Sequence, residues 1–214
     1  MFRDERYQKA KYMVKINHFT EQGFDITGVV HVGTNYGFEL QWYQMMGIEW
    51  FIGFEPLPAA IRDFHKQYAV DFDKVIHLPF ALSDYEGFNG LYIAPGDGQG
   101  SSFKEELSNE YPMTGPIRVP VYRFDTVARD YNFEMEKYDC LVVDVQGMEL
   151  EVLKGMGELL KGFKFLNIEC SEKPVYRDSA SGQEIVDFLK TMGFKQDSPM
   201  EVHNDVFFIR EDLK

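Results

Sequence analysis

The stretch VVHVGTNYGFE, residues 29–39, runs a β-branched apolar segment into two glycines and then into a helical pattern. The apolar run over 26–32 predicts a buried strand. Gly33 and Gly37 allow the loop that follows to bend sharply and to approach a ligand closely. Asn35, between them, tolerates a left-handed backbone conformation. The stretch therefore predicts a strand, a ligand-binding loop and a helix in immediate succession.

Outward from this stretch, apolar strand-like runs alternate with segments of helical spacing, which is typical of a parallel sheet with crossover helices. Strands are predicted over residues 26–32, 49–54, 74–82, 138–145 and 163–170, and helices over 4–19, 38–46, 57–69, 149–160 and 181–192. Residues 194–197 and 202–210 predict a terminal hairpin. We expect an α/β fold with a mostly parallel seven-stranded sheet, a C-terminal antiparallel hairpin and helices on both faces.

The domain organisation follows from the chain length and from this pattern. The 214 residues suffice for one sizeable core. We predict a helical segment at 1–24 and a single domain over 25–214. In the helix after the first loop, four large side chains recur at helical spacing and are expected to pack in the core. They are Phe38, Trp42, Met45 and Met46.

The middle of the chain departs from the strand–helix alternation. Residues 95–102 read PGDGQGSS, an irregular loop of the kind that often serves as a binding loop or lid. Residues 117–124 alternate apolar and polar side chains, which predicts an exposed or edge strand. Such a strand could pair with a second subunit, so a homodimer is a possible assembly.

Composition narrows the class of partner. The formal net charge is −13, from 35 acidic and 22 basic residues, and no Lys/Arg cluster interrupts the chain, which argues against a nucleic-acid partner. Cys140 and Cys170 lie in apolar runs and are expected to be buried thiols in a reducing compartment. The sequence has neither a signal-peptide pattern nor a membrane-spanning apolar run. We therefore expect a cytoplasmic protein with no membrane partner.

Three chemistry-bearing stretches are predicted at the carboxyl ends of strands, where open α/β sheets bind their ligands. They are His31 to Asn35, Glu55-Pro56 and Asp144 to Gly147. Glu55 follows Gly33 by 22 residues, and a carboxylate at that place can accept hydrogen bonds from both ribose hydroxyls of an adenosine cofactor.

The glycine spacing favours one cofactor over another. A dinucleotide loop reads G-x-G-x-x-G, because its second glycine lets the pyrophosphate approach the helix. Here Asn35 stands two positions after Gly33, so the loop reads G-x-x-x-G. S-adenosylmethionine has no phosphate and does not need the tighter loop. It is the expected cofactor, and a nicotinamide-dependent oxidoreductase remains the alternative.

Several segments resemble the FkbM-type methyltransferases: HVGTNYGFE, IGFEPLP, FALSD, GSSF, RFDTVA and VVDVQGMELEVLKGM. The resemblance covers about residues 28–172, and 144–156 is its most specific part. It implies a class I methyltransferase (Rossmann-like) fold and transfer of a methyl group from S-adenosylmethionine to oxygen on sugars, natural products and other small acceptors. The family usually has Ala where this chain has Thr34 and Glu where it has Gln146. The second departure leaves open an inactive, methyltransferase-like binding protein.

The resemblance also implies a set of site residues. Gly33, Asn35 and Gly37 would shape the methionine pocket, Glu55 would hold the ribose, and the segment after the third strand would lie near the adenine. The full predicted cofactor set is Gly33, Thr34, Asn35, Gly37, Glu55, Pro56, Ala81, Leu82, Asp84 and Asp144. The residues predicted to bind a small hydroxylated acceptor are Ser101, Ser102, Gln146 and Glu169.

Catalysis is assigned to Asp144 and His31, with alternatives for each. Asp144 could remove the acceptor proton, hold a divalent cation that acidifies the hydroxyl, or accept hydrogen bonds at a helix start. His31 could act in catalysis or lie beneath the loop as a core histidine. A metal ion is possible but not predicted, with Asp144 and Glu169 as the first candidate ligands and His31 and Glu149 as further ones. We expect an O-methyltransferase acting on a sugar or a sugar-containing metabolite.

Overall fold

A computed structural model describes residues 16–67, 74–96, 98–105, 107, 112–201 and 204–213. Most of the helix predicted over 4–19 therefore lies outside the described residues, as do 68–69 of the predicted second crossover helix and 202–203 of the last strand. Ile16 and Phe19, from the apolar face of that first helix, are completely buried. The N-terminal segment thus packs on the domain at its described end.

The structure contains the predicted strands and helices in chain order, together with a helix at 124–130 that the sequence pattern did not predict. The helices are α1 (Asn17–Glu21), α2 (Glu39–Met45), α3 (Pro58–Gln67), α4 (Phe124–Asp130), α5 (Glu149–Gly155) and α6 (Gly182–Thr191), with 3₁₀ turns at Met135–Lys137 and Gly157–Gly162. The strands are β1 (Gly28–Val32), β2 (Trp50–Phe54), β3 (Val75–Leu78), β4 (Ala81–Leu82), β5 (Gly87–Ile93), β6 (Thr114–Tyr122), β7 (Cys140–Val143), β8 (Phe165–Cys170), β9 (Phe194–Gln196) and β10 (Asn204–Arg210).

Seven of these strands form the main sheet, in the order β3-β2-β1-β7-β8-β10-β9. The first five of them run parallel, and β10 lies antiparallel between β8 and β9. The predicted α/β sheet with a C-terminal antiparallel hairpin is confirmed. The chain builds outward from β1 to β3 and then returns to the other side of β1 with β7. This reversal of strand order opens a crevice at the carboxyl ends of β1 and β7, the usual ligand position in such sheets.

The predicted third strand, 74–82, is divided between two sheets. Residues 75–78 belong to the main sheet, whereas Ala81 and Leu82 pair with β6 in a separate three-stranded sheet of order β4-β6-β5. Pro79 has no N–H to donate to a ladder, and the chain bends at Pro79 and Phe80. The prediction of one continuous strand was therefore wrong.

The prediction for residues 117–124 was also wrong in part. β6 is the middle strand of the small sheet, bonded to β5 along its length and to β4 at Val121 and Tyr122. Phe124 is buried and begins α4 rather than ending the strand. The exposed-edge argument for a homodimer therefore does not hold for this segment, and a dimer stays a prediction.

Two helices differ from their predicted form. The predicted helix 149–160 is α-helical only to Gly155, because Gly157 adopts a left-handed φ of 57° and the chain continues as a 3₁₀ turn. In α2, the side chains that pack inward are Leu40 and Tyr43, whereas Phe38 is 44% exposed. Of the four predicted core residues, Trp42 and Met46 are partly buried against the same cluster, whereas Phe38 and Met45 are exposed.

Helices cover both faces of the main sheet, and each face has its own apolar cluster. One cluster includes Val30 and Val32 of β1, and the other includes Val29 and the α2 side chains. Cys140 and Cys170 are buried free thiols, as predicted. Among the described residues, no helix has the length and apolar character needed to cross a membrane.

Candidate active site

The carboxyl ends of β1, β2, β7 and β8 open into one cleft of about 950 Å³. The loop after β1 and the residues after β2 form one wall, β4 forms the floor beside them, and the residues after β7 and β8 form the opposite end. The irregular segment 98–105 is called the lid below, and its residues 98–103 line the cleft. The residues from the sequence prediction that line it are Gly33, Thr34, Asn35, Glu55, Pro56, Ala81, Leu82, Ser101, Ser102, Asp144, Gln146 and Glu169.

Gly33 is required by a close approach of two strand ends. Its φ is 86°, and a Cβ atom added there would lie 1.7 Å from the backbone oxygen of Asp144. Its N–H donates a hydrogen bond to the carbonyl of Phe54, 2.9 Å away. Any side chain at position 33 would therefore push the ends of β1 and β7 apart at the bottom of the cleft.

Glu55 is held at the cleft wall by two backbone donors. The Asn35 N–H donates to its Oε2 at 2.7 Å, and the Leu57 N–H donates to its Oε1 at 2.7 Å. Burial raises the pKa of Glu55 to about 7, although the two backbone hydrogen bonds act in the opposite direction. Each carboxylate oxygen has a second lone pair, so Glu55 can still accept hydrogen bonds from a diol in the cleft.

The first loop is also fixed from behind. The Thr34 Oγ1 lies 2.8 Å from the Nε2 of His77, in a buried hydrogen bond. Burial lowers the pKa of His77 to about 3, so the ring is neutral, and it stacks on Phe64 with ring centroids 3.9 Å apart. Gly37 packs on the same ring, because an added Cβ would lie 2.3 Å from the Cδ2 of Phe64. Gly37 thus supports the loop without lining the cleft.

At the opposite end, one amide joins two carboxylates. The Nε2 of Gln146 donates to the Oδ1 of Asp144 at 2.5 Å and to the Oε2 of Glu169 at 2.6 Å. The Tyr176 hydroxyl donates to the Oε1 of Gln146 at 2.5 Å. All four residues line the cleft. This end therefore presents carboxylate oxygens, the groups suited to receive a proton or to bind hydroxyl groups.

The two predicted lid serines fasten the segment over the cleft. The Ser101 Oγ donates to the carbonyl of Gly98 at 2.7 Å, which closes a turn within the segment. The Ser102 Oγ donates to the carbonyl of Gln146 at 2.6 Å, and Ser102 is 1% exposed. Both hydroxyls thus stabilise the lid in this conformation.

Besides Gly37, two further predicted site residues, His31 and Asp84, lie away from the cleft. His31 is 1% exposed, points to the α2 side of the sheet, and its Nδ1 lies 3.2 Å from the Tyr43 hydroxyl. This position favours the core histidine over the catalytic one. Asp84 is exposed and its carbonyl accepts a hydrogen bond from Arg123. The chain turns before Asp84 because β4 joins the small sheet instead of extending β3.

Sequence reasoning did not place Phe38 or Tyr176 at the cleft. Phe38 was expected in the core but lines the cleft beside the first loop, and Tyr176 lines the acceptor end. Tyr176 follows β8, so its place after a strand end was a signal that could have identified it. No comparable signal marks Phe38, because its helical spacing matches a core residue equally well.

Glu149 serves the turn before α5. It is 7% exposed and accepts hydrogen bonds through its Oε1 from the N–H groups of Gly147 and Val145, at 3.0 and 3.3 Å. Burial raises its pKa to about 7. Within the part of the chain that the structure describes, no group of three or more His, Cys, Asp and Glu side chains could hold a metal ion. Asp144 and Glu169 stay candidate metal ligands that nothing in the structure tests.

Comparison with known proteins identifies the family. The model of the methyltransferase FkbM domain matches residues 31–195, most of the chain. The chain belongs to the FkbM methyltransferase family. The resemblance seen in the sequence is thereby confirmed, and the nicotinamide-dependent alternative is not supported.

Within this family, the chain is similar to the 2-O-methyltransferase NoeI of Sinorhizobium fredii, at 28% identity over 165 residues. The match covers 72% of this chain and 66% of NoeI, so it leaves about a third of the relative's length unmatched. NoeI methylates oxygen by its name. That name describes NoeI and does not by itself assign an acceptor to this FkbM protein.

Solved structures show that the fold is that of class I methyltransferases. The magnesium protoporphyrin IX methyltransferase ChlM of Synechocystis PCC 6803, solved with bound S-adenosylmethionine, matches at a TM-score of 0.50 and 10% identity, over 96% of this chain and 79% of ChlM. Sp1610 of Streptococcus pneumoniae, a candidate tRNA (m1A22) methyltransferase, matches at 0.50 and 10% identity, over 100% of this chain and 72% of its own. At such identities the likeness concerns the fold alone, which is that of S-adenosylmethionine-dependent enzymes.

Proposed function

We propose that this FkbM protein transfers a methyl group from S-adenosylmethionine to a hydroxyl oxygen of a small acceptor, a sugar or a sugar-containing metabolite. The observation that carries the proposal is a single cleft with two chemically distinct ends. One end has a glycine loop and Glu55, and the other has Asp144 and Glu169. The first suits an adenosine cofactor and the second a hydroxylated acceptor.

The cofactor end has the groups that S-adenosylmethionine requires. Glu55 accepts the ribose hydroxyls, and the loop at Gly33 to Asn35 approaches the amino-acid part closely. The apolar floor at Ala81 and Leu82 suits the adenine ring. Asp144, after the neighbouring strand β7, would then face the sulfonium and the methyl group to be transferred.

The reaction needs in-line placement and removal of one proton. The acceptor oxygen attacks the methyl carbon, a C–O bond forms as the C–S bond breaks, and the sulfur leaves as the neutral thioether of S-adenosylhomocysteine. The Asp144 carboxylate takes the hydroxyl proton. Because Asp144 lies on the strand next to β1, it can reach the acceptor beside the methionine end of the cofactor.

The name of the relative NoeI, a 2-O-methyltransferase, supports oxygen as the acceptor atom. A sugar acceptor is supported by the polar groups at this end of the cleft. Carboxylates and a tyrosine hydroxyl can bind several hydroxyl groups of one ring. The net charge of −13 disfavours a polyanionic acceptor such as a nucleic acid. The preferred acceptor is therefore a neutral polyol.

The test combines a binding measurement with a turnover screen. Calorimetry with S-adenosylhomocysteine measures the cofactor site, and release of S-adenosylhomocysteine over a panel of sugars and glycosides measures transfer. Mass spectrometry and NMR of the product locate the new methyl ether. We expect micromolar cofactor binding and a methyl ether on one class of acceptor.

Each other outcome has a distinct meaning. No binding of S-adenosylhomocysteine contradicts the proposed cofactor. Binding without turnover on the whole panel favours the inactive, methyltransferase-like binding protein, to which Gln146 in place of the usual Glu pointed. A product methylated on nitrogen or carbon would correct the acceptor atom while leaving the methyl donor intact.

A further inference from the structure

Each polar atom of the Gln146 side chain has a partner within the protein. The Nε2 donates its two hydrogens to Asp144 and Glu169, and the Oε1 accepts from the Tyr176 hydroxyl. The orientation of the amide is fixed by these partners, since carboxylates only accept. Gln146 therefore has no side-chain donor left for an acceptor molecule, and its role as a substrate ligand stays a prediction.

The backbone of Gln146 is equally constrained. Its φ is 55°, a left-handed conformation that β-turn residues other than Gly, Asn and Asp seldom adopt. Its carbonyl accepts the hydrogen bond from the Ser102 Oγ of the lid. The next residue, Gly147, packs on Tyr176, because an added Cβ would lie 2.9 Å from the tyrosine side chain. Main chain and side chain together join the β7 end to three other segments.

Those segments are β8, the lid and the loop after β8. Lid and loop also contact each other directly. The Arg177 N–H donates to the carbonyl of Glu105 at 2.8 Å, and the Lys104 Nζ donates to the carbonyl of Asp178 at 2.9 Å. Gln146 thus lies at the point where the lid, the loop and the two carboxylates meet.

We infer that Gln146 is a positioning residue: its amide fixes the Asp144 and Glu169 carboxylates at the acceptor end, and its contacts hold lid and loop over them. The expected effect on kcat rests on the proposed function, whereas the expected effect on lid and loop does not. An amide between two carboxylates donates a hydrogen bond to each and so offsets their mutual repulsion. A glutamate at position 146 would add a third negative charge at the same place.

The kinetic test uses Gln146→Glu, which keeps the size of the side chain and removes both donors. We expect kcat to fall about 10-fold to 100-fold, because hydrogen bonds to charged groups contribute that much. The dissociation constant of S-adenosylhomocysteine is expected to stay within about twofold, since Gln146 lies away from Glu55. Loss of cofactor affinity together with kcat would indicate a merely structural role and would overturn the inference.

Gln183→Glu is the matched control. Gln183 lies exposed on α6 and its Nε2 donates to the Asp187 carboxylate at 2.8 Å, so the same chemical change removes the same kind of bond far from the cleft. We expect it to leave kcat and cofactor affinity unchanged. If Gln146→Glu behaved like Gln183→Glu, the positioning role would be refuted.

A second measurement does not depend on turnover. Hydrogen–deuterium exchange of residues 98–105 and 172–180 is compared in the wild type, Gln146→Ala and Tyr176→Phe. We expect exchange in both segments to become roughly 5-fold to 10-fold faster, the effect of losing one or two net hydrogen bonds. Unchanged exchange overturns the inference even if the wild type methylates nothing. An inactive wild type with faster exchange in the variants refutes the proposed function alone.

Discussion

Glu55 should make cofactor binding depend on pH near neutrality. Its pKa is about 7 because burial disfavours the charged carboxylate, despite two backbone donors. The ribose hydroxyls of S-adenosylhomocysteine donate to the carboxylate and bind its ionised form more tightly. Binding should therefore strengthen as the pH rises through about 7 and level off above it.

The size of the effect follows from the ionised fraction. With a pKa of about 7, roughly one molecule in eleven is ionised at pH 6 and about ten in eleven at pH 8. If only the ionised form binds well, the apparent dissociation constant at pH 6 is about tenfold higher than at pH 8, or ~1.4 kcal/mol. Glu55→Gln should bind weakly at both values and lose this dependence.

The assay is calorimetry with S-adenosylhomocysteine at pH 6, 7 and 8, at constant ionic strength and with buffers of different ionisation enthalpy. The wild type should release close to one proton on binding at pH 6, about half a proton at pH 7 and almost none at pH 8, because Glu55 is already ionised there. Glu149→Gln is the control, because Glu149 also has a pKa of about 7 but binds the backbone of its own turn. The Glu149→Gln variant should retain the pH dependence of cofactor binding. The same dependence in Glu55→Gln, or none in the wild type, would refute the assignment of the ribose to Glu55.

Three further substitutions test the site. Gly37→Ala should lower the free energy of unfolding by about 1–3 kcal/mol in denaturant titrations, because the new Cβ overlaps the Phe64 ring and φ is 71°; a stable variant would contradict the close packing. Asp144→Asn should lower kcat about 100-fold or more in steady-state assays while cofactor affinity changes little, as removal of a general base does. Unchanged turnover would exclude Asp144 as the base. Ser102→Ala should raise the acceptor KM about 5-fold to 10-fold through the lost bond to Gln146, and an unchanged KM would remove the lid from acceptor binding.

The residues at strand ends could be predicted from the sequence with good reason. Gly33, Glu55 and Asp144 each follow a short apolar run, and the parallel arrangement brings the ends of such runs to one edge of the sheet. The predicted start of the helix at 181 is likewise confirmed, since Ser181 and Glu184 form a capping box before α6. These features depend on local sequence pattern and on the rule that the carboxyl ends of parallel strands meet at one edge of the sheet.

Pairing across long distances could not be predicted in the same way. The apolar run 74–82 gave no sign that Ala81 and Leu82 would leave the main sheet, because their partners, Val121 and Tyr122, lie 40 residues further along the chain. A strand pattern describes which faces are buried but not which neighbour buries them. The same limit made β6 look like an edge strand.

The sequence by itself determined the sheet, the glycine loop and the carboxylates at its carboxyl edge, because these follow from periodicity and strand direction. Only the tertiary structure decided which way each side chain points. It directed His31 toward Tyr43 in the core, Phe38 into the cleft, and the Gln146 amide between Asp144 and Glu169. Side-chain direction depends on packing partners far away in sequence, and a linear pattern does not contain them.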